Sequence, residues 1–390
     1  MNRRGQWGEI AALGTAQTLA WASSYYLPAI LAQPIAAELG LPAYGLFAAF
    51  SMALLVSAAV GPFAGKLIDR RGGRPVLLAS NLIFACGLTL LSQSHGVAGL
   101  ALAWMVIGVA MGSGLYEAAF STLVKLHGKD SRNAITGITL IAGFASTVGW
   151  PLTMYLESSF GWRDTCLIWA ALHVLLGLPL NARLRPMSRE TARPIAPPGS
   201  TGAPASGNRR SQFLLAYVFA VSWFISTAMA AHMPGLLAQN GVPLLTAVFI
   251  AGLVGPAQVA GRLLEFSLLR RIHPLASARL AAIAHPIGVL VLLSIGAQGS
   301  MAFALLHGLG NGILTIAVGT LPLVLFGAQG YGYRQGLLLI PSRVMQAGAP
   351  FAFGLLSGWW GADALWVSAG LGLSAAIALL FIEHRVHGRT

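Results

Sequence analysis

The chain has 390 residues, with 24 Lys and Arg against 11 Asp and Glu, a formal net charge of +13. Charged residues make up 9% of it, where a soluble domain carries about 25%. Hydrophobic residues make up 56%, and the mean hydropathy is +0.72. So few charges cannot cover a soluble surface. This excludes an ordinary cytosolic enzyme, and it argues against nucleic-acid binding, which needs a basic stripe on a soluble face.

Arg3 and Arg4 precede an apolar run that continues past Ala20 to about Ile35 without a clear small-residue cleavage site. It reads as a first membrane span rather than a signal peptide. At about 20 apolar residues per crossing, twelve spans are predicted. They lie at 8–35, 43–67, 75–94, 97–125, 133–157, 163–183, 212–239, 244–269, 276–297, 299–326, 333–358 and 362–383. Cys86 and Cys166 fall inside these runs, with no Cys/His spacing of a zinc site. Residues 184–210, rich in Pro, Gly, Ser and Arg, cannot bury a core and read as a flexible cytoplasmic linker. The expected domains are therefore a six-helix bundle over 1–183 and a second over 211–390.

Three features recur in corresponding positions of the halves. Gly112-Ser113-Gly114 in span four matches Gly310-Asn311-Gly312 in span ten. Gly149-Trp150-Pro151 matches Gly348-Ala349-Pro350, and the basic exit of span two at Asp69-Arg70-Arg71 matches Arg270-Arg271. Duplicated halves with a site at their interface are a transporter architecture. With the N-terminus inside, 21 of the 24 basic residues fall on the cytoplasmic side and only Arg163 falls outside. The positive-inside rule then predicts both termini in the cytoplasm. The two left over, Arg262 and Arg343, lie within spans.

The loop between spans two and three reads Gly65-Lys66-Leu67-Ile68-Asp69-Arg70-Arg71-Gly72-Gly73-Arg74. It resembles the signature loop of the major facilitator superfamily, G-x-L-x-D-R-x-G-R-[KR], except that Gly73 stands where the family usually has a basic residue. With the six-plus-six layout, the resemblance covers essentially the whole chain. It implies an all-α fold of twelve transmembrane helices in two pseudo-symmetric bundles. It also implies a gating latch at Gly65, Asp69, Arg70 and Arg74. Span eight reads Gln258-Val259-Ala260-Gly261-Arg262. This is similar to the Gly-Arg of the monocarboxylate-transporter-like branch, where the arginine binds the substrate carboxylate. That branch usually has an acidic residue where Gln258 stands.

The residues themselves point the same way. An arginine deep in a membrane helix costs about 2.5–3.5 kcal/mol on insertion scales and usually marks a pathway. Arg262 and Arg343 would suit a carboxylate through bidentate hydrogen bonds. For Arg262 the alternative is a local pair with Glu265, three residues on. Glu117 in span four reads equally as a proton relay or as the permanent partner of a buried arginine. Tyr25, Tyr26, Trp150, His232, Gln258 and Asn311 are further candidates for a midplane substrate site. Met229 and Met233 lie one turn apart with His232 between them, and such soft ligands would suit Cu(I).

The expected function is secondary active transport of a small organic solute, an anion such as a monocarboxylate, by alternating access and with proton coupling. The alternatives are export of a drug-like or toxic compound, Cu(I) import through Met229 and Met233, and a membrane sensor that does not transport. No P-loop, nucleophile elbow, His cluster or paired-aspartate helix motif is present, so neither ATP drive nor an intramembrane enzyme is expected. No cofactor and no nucleic-acid partner are expected. The expected setting is a monomer in the bilayer of a bacterial inner membrane.

Overall fold

The computed structural model describes residues 3–42, 44–127, 131–186, 209–267, 269, 272–326 and 331–382. The expected linker core, 187–208, lies outside the described residues. All regular structure among the described residues is helical, as the hydropathy pattern predicts. In chain order the helices are α1 Arg3–Ala22, α2 Pro28–Leu39, α3 Gly45–Arg71, α4 Gly73–Ser92, α5 Val97–Gly114, α6 Tyr116–His127, α7 Ser131–Ala142 and α8 Ala145–Leu172. A π-turn at His173–Gly177 leads into α9 Leu178–Ala182. Then come α10 Arg209–Gln239, α11 Leu244–Gly252, α12 Val254–Ser267, α13 Pro274–Ile295, α14 Ser300–Phe326, α15 Tyr331–Trp360 and α16 Leu365–Leu380.

Among the described residues, sixteen helices serve the twelve expected spans because several spans are interrupted. Span one is α1 and α2, and span four is α5 and α6. Span eight is α11 and α12. Helix α8 is really two helices that meet at Gly161, whose φ of 79° is open to glycine and costly to other residues. That bend separates spans five and six. Continuous apolar stretches of 46, 53 and 43 residues, at Gly137–Ala182, Pro274–Phe326 and Leu338–Leu380, are each long enough for two crossings.

The described chain divides into two compact units. Unit 1 is Met1–Ile195 with Ala230–Pro234 and Pro350–Gly358, and unit 2 is the remainder. Unit 1 is held at one end by a core of small and aliphatic side chains, among them Leu13, Ile68, Leu77, Ala119, Leu123 and Ile138. Beside it the buried Glu9 carboxylate lies 2.8 Å from Arg185 Nε and 3.4 Å from His127 Nε2, tying α1, α6 and the segment after α9 together. At the other end, Glu38 in the last turn of α2 accepts from Arg163 Nε at 2.9 Å and from Trp162 Nε1 at 2.5 Å. Arg163 Nη2 also donates to Ser94 O at 2.9 Å.

The repeated glycines are points of helix contact. In unit 1, a Cβ at Gly112 would stand 2.6 Å from Ser57 O on α3, and one at Gly114 would stand 2.6 Å from Ser80 Oγ on α4. In unit 2, a Cβ at Gly310 would stand 2.6 Å from Ala281 O on α13, and one at Gly312 would collide with the Gln258 backbone on α12. Each pair thus lets the fourth helix of its half touch the second and third, as small residues do in membrane bundles. The echo at Gly149 and Gly348 is not matched in contacts: a Cβ at Gly149 would meet Ala22 at 2.9 Å, whereas one at Gly348 would meet nothing within 4 Å.

Packing also accounts for the unusual residue of the signature loop. Helix α3 ends at Gly72, whose φ of 83° turns the chain, and α4 starts at Gly73. A Cβ at Gly73 would collide with the Thr122 side chain on α6. A lysine there, the family's usual type, is expected to overpack this contact at about 1–3 kcal/mol. Gly73→Lys should therefore melt at lower temperature than the parent in detergent, and an unchanged Tm would contradict this packing.

Arg163 and Trp162 hold the Glu38 carboxyl below its ordinary value of 4.5. A lowered folded value means that the pair's contribution is complete above the ordinary value and is lost as pH falls through the lowered one. The Tm difference between the parent and Glu38→Gln should be constant from neutral pH to about pH 5 and shrink only in stronger acid. A difference that already disappears between pH 7 and 5 would contradict the pairing.

Candidate functional site

In unit 1 the candidate site forms where two spans lose helical geometry. Pro28 has no N–H, and its ring excludes a regular turn before it. Residues 23–27 are accordingly a turn between α1 and α2. In span four, Leu115 takes φ −83° and ψ −167° between α5 and α6. Broken spans free backbone groups that hydrocarbon cannot satisfy, so side chains must do so. Gln17 Nε2 donates to Gly114 O at 2.7 Å, and Trp150 Nε1 donates to Tyr26 O at 3.1 Å. Tyr26 N donates to Trp21 O at 3.1 Å, five residues back.

Aromatic rings fill the space around the breaks. Trp21 is 4.9 Å from Tyr25 and 4.9 Å from Tyr116, centroid to centroid, and Tyr26 is 5.4 Å from both Tyr25 and Trp150. The structure therefore brings the predicted Tyr25, Tyr26 and Trp150 together and adds Trp21, Tyr116 and Gln17 to them. The side chains of Tyr25 and Trp150 are buried, while Tyr26 and Trp21 are partly exposed. Glu117 is exposed and sits in the first turn of α6, where a carboxylate complements the positive end of a helix. A Cβ at Gly61 on α3 would stand 3.3 Å from its Oε2.

His232, also in unit 1, donates from Nε2 to Pro350 O at 2.9 Å, and its ring centroid is 4.0 Å from Phe47. Met229 and Met233 are fully buried on α10. Of the signature loop, Arg70 is exposed and Arg74 and Gly65 are half-buried. The side chain of Asp69 lies outside the described ones.

In unit 2, Gln258 and Arg262 lie one turn apart on α12 and are 7% and 8% exposed. The backbone beside Arg262 is fixed by close approach, since a Cβ at Gly261 would stand 2.5 Å from Leu309 O on α14. Glu265, the alternative partner of Arg262, accepts from Ser277 Oγ on α13 at 3.1 Å. Arg343 on α15 is half-buried, and its Nη1 donates to Gln346 Oε1 at 3.3 Å. Asn311 lines a cavity of about 30 Å³ with Ser222, Ser226, His285 and His307. The histidines were not among the predicted site residues. Each is a lone polar residue in an apolar run, and no spacing in the sequence joins them.

Among the described residues this all-helical, strongly apolar chain with interrupted spans is a polytopic membrane protein. The chain belongs to the major facilitator superfamily, whose family model matches residues 13–337. It is 28% identical over 357 residues to an uncharacterized 38 kDa protein in a 23S RNA operon of Thermoproteus tenax, a match spanning 90% of this chain and 89% of that one. It is 27% identical over 321 residues to monocarboxylate transporter 3 of Rattus norvegicus, spanning 75% of this chain and 62% of the relative. The crystal structure of nucleoside transporter NupG superposes with a TM-score of 0.75 at 14% identity, covering 98% of this chain and 99% of that one. That likeness carries the fold.

The caps at the breaks have a measurable consequence. Trp150→Phe keeps a ring against Tyr26 but leaves Tyr26 O without its donor, at a cost of about 1–3 kcal/mol for an unsatisfied buried group. Its melting temperature in detergent should fall, and an unchanged Tm would show that the indole N–H does not cap the break.

Proposed function

We propose that this chain is a secondary active transporter of a small organic anion, such as a monocarboxylate. The observation that carries this reading is Arg262, 8% exposed within an apolar helix and next to the close backbone approach of Gly261 to Leu309. A planar guanidinium matches a carboxylate bidentately, and its burial removes the competition of bulk water. The resemblance to monocarboxylate transporters supports the same solute class. Arg343 is proposed as a second anchor. Trp21, Tyr25, Tyr26 and Trp150 are proposed to receive the apolar body of the solute. The two bundles, 1–183 and 211–390, rock about the solute so that it faces each side in turn. Gly65, Asp69, Arg70 and Arg74 latch that motion. The distribution of basic residues supports cytoplasmic termini, and the proposed setting is a bacterial inner membrane.

The mechanism asks little chemistry of the protein. The arginine replaces the water lost by the carboxylate, and the aromatic rings replace the water lost by the carbon skeleton. Broken spans supply local hinges, because a turn without a continuous hydrogen-bond ladder bends more readily than a regular helix.

Uptake of radiolabelled L-lactate and pyruvate into proteoliposomes tests the reading. The parent should accumulate at least one of them. Arg262→Lys keeps the charge but loses the bidentate fork, and should lower uptake by at least about tenfold while remaining folded. Arg343→Ala should weaken uptake in the same direction. Unchanged uptake by a folded Arg262→Lys protein would overturn the assignment.

A further inference from the structure

Three buried polar side chains of unit 2 take no part in the anion reading. His285 on α13 and His307 on α14 are 6% and 4% exposed, and Ser368 on α16 is fully buried. His285 Nδ1 lies 3.0 Å from His307 Nδ1, and His285 Nε2 lies 3.1 Å from Ser368 Oγ. Ser368 Oγ lies 2.8 Å from Leu365 O, which can only accept.

These contacts determine where the protons are. A hydroxyl has one proton, and Ser368 gives its own to Leu365 O. Ser368 therefore accepts from His285, which carries its proton on Nε2. His285 Nδ1 is then a lone pair, and the 3.0 Å contact requires a proton on His307 Nδ1. In the neutral pair both tautomers are fixed. The one imidazole lone pair left outside this network is His307 Nε2.

Both rings line the cavity of about 30 Å³, whose other polar lining is Ser222, Ser226 and Asn311. That is room for about one water with several hydrogen-bond partners. Among the described residues, no charged side chain lines it. On the surrounding helices, Arg279 of α13 donates to the carbonyls of Leu379 and Leu380. Tyr217 of α10 bonds Ser374, Glu265 of α12 accepts from Ser277, and Arg262 lies on α12. Helix α16 carries no titratable residue.

We propose that the His285–His307 pair binds one proton and is the proton-coupling site of this chain. A hydronium delivered through the cavity gives its proton to His307 Nε2 and leaves as water. The imidazolium formed then donates Nδ1–H to His285 Nδ1, and the charge is shared along that bond. A second proton has no place to bind, because His285 Nδ1 is occupied and the two nitrogens are 3.0 Å apart. The coupling role rests on the transport reading, while the proton site itself does not.

Nitrogen NMR of histidine-labelled protein in lipid nanodiscs tests the site without any solute. A scalar coupling across the Nδ1–H···Nδ1 bond identifies the pair in the parent protein, so no substitution is needed to find it. As the pH is lowered from about 8 to about 4, the two rings should titrate together and take up one proton per pair. Two rings that stay neutral in fixed tautomers over this range would overturn the proposal, as would two that titrate independently. In proteoliposomes, His307→Gln should retain L-lactate counterflow and lose pH-gradient-driven accumulation by at least about tenfold. Accumulation equal to the parent's would overturn the coupling role. A parent that ignores lactate would count against the solute class alone, because the NMR result still decides the proton site.

Discussion

Hydrocarbon offers no hydrogen bonds, so every backbone N–H and C=O inside a bilayer must be satisfied by the protein. Most of this chain meets that constraint with uninterrupted helix. Spans one and four do not, and their interruptions come with donors supplied from elsewhere. Gln17 reaches 97 residues along the chain to Gly114 O, and Trp150 reaches 124 residues to Tyr26 O. These caps make the breaks stable, and the breaks bring aromatic rings and a helix N-terminus into one region of unit 1. Transporters of other folds place substrate at discontinuous helices for the same reason.

The glycines serve the same end. At Gly112, Gly114, Gly310 and Gly312 the fourth helix of each half approaches its neighbours too closely for any side chain. Backbones fixed at that distance hold nearby side chains at a defined separation from the neighbouring helix. Gly261 does this for Arg262, and the contact of Gly310 with Ala281 does it for the helices that carry His285 and His307. Gly73 shows the constraint acting on a family motif, where the usual basic side chain would meet Thr122.

Hydropathy was enough to read the helical class and the membrane setting, because the crossings lie in long apolar runs. The major facilitator membership was legible in one loop, Gly65 to Arg74. The finer features were not. Span four reads as one apolar helix, and nothing local tells that Leu115 leaves the helical region. Pro28 gave a signal for the first break, but not for the ring that caps it. Membrane helices are apolar all round, so the side that faces a partner is not marked by alternation of apolar and polar residues. Glu38 with Arg163, Gln17 with Gly114 and His285 with His307 are each separated by many residues, and only packing brings them together. The Glu265 alternative for Arg262 followed from helical spacing, but the contact of Glu265 with Ser277 on a neighbouring helix is marked by no spacing.

The buried Arg262 guanidinium is proposed to select an anion. Calorimetric titration of the purified protein with L-lactate and with its neutral amide tests it most directly, because the two solutes share size and shape and differ in charge. The carboxylate should bind and the amide should not, and Arg262→Ala should remove the carboxylate signal. Equal binding of both solutes, or carboxylate binding that survives in folded Arg262→Ala protein, would contradict it.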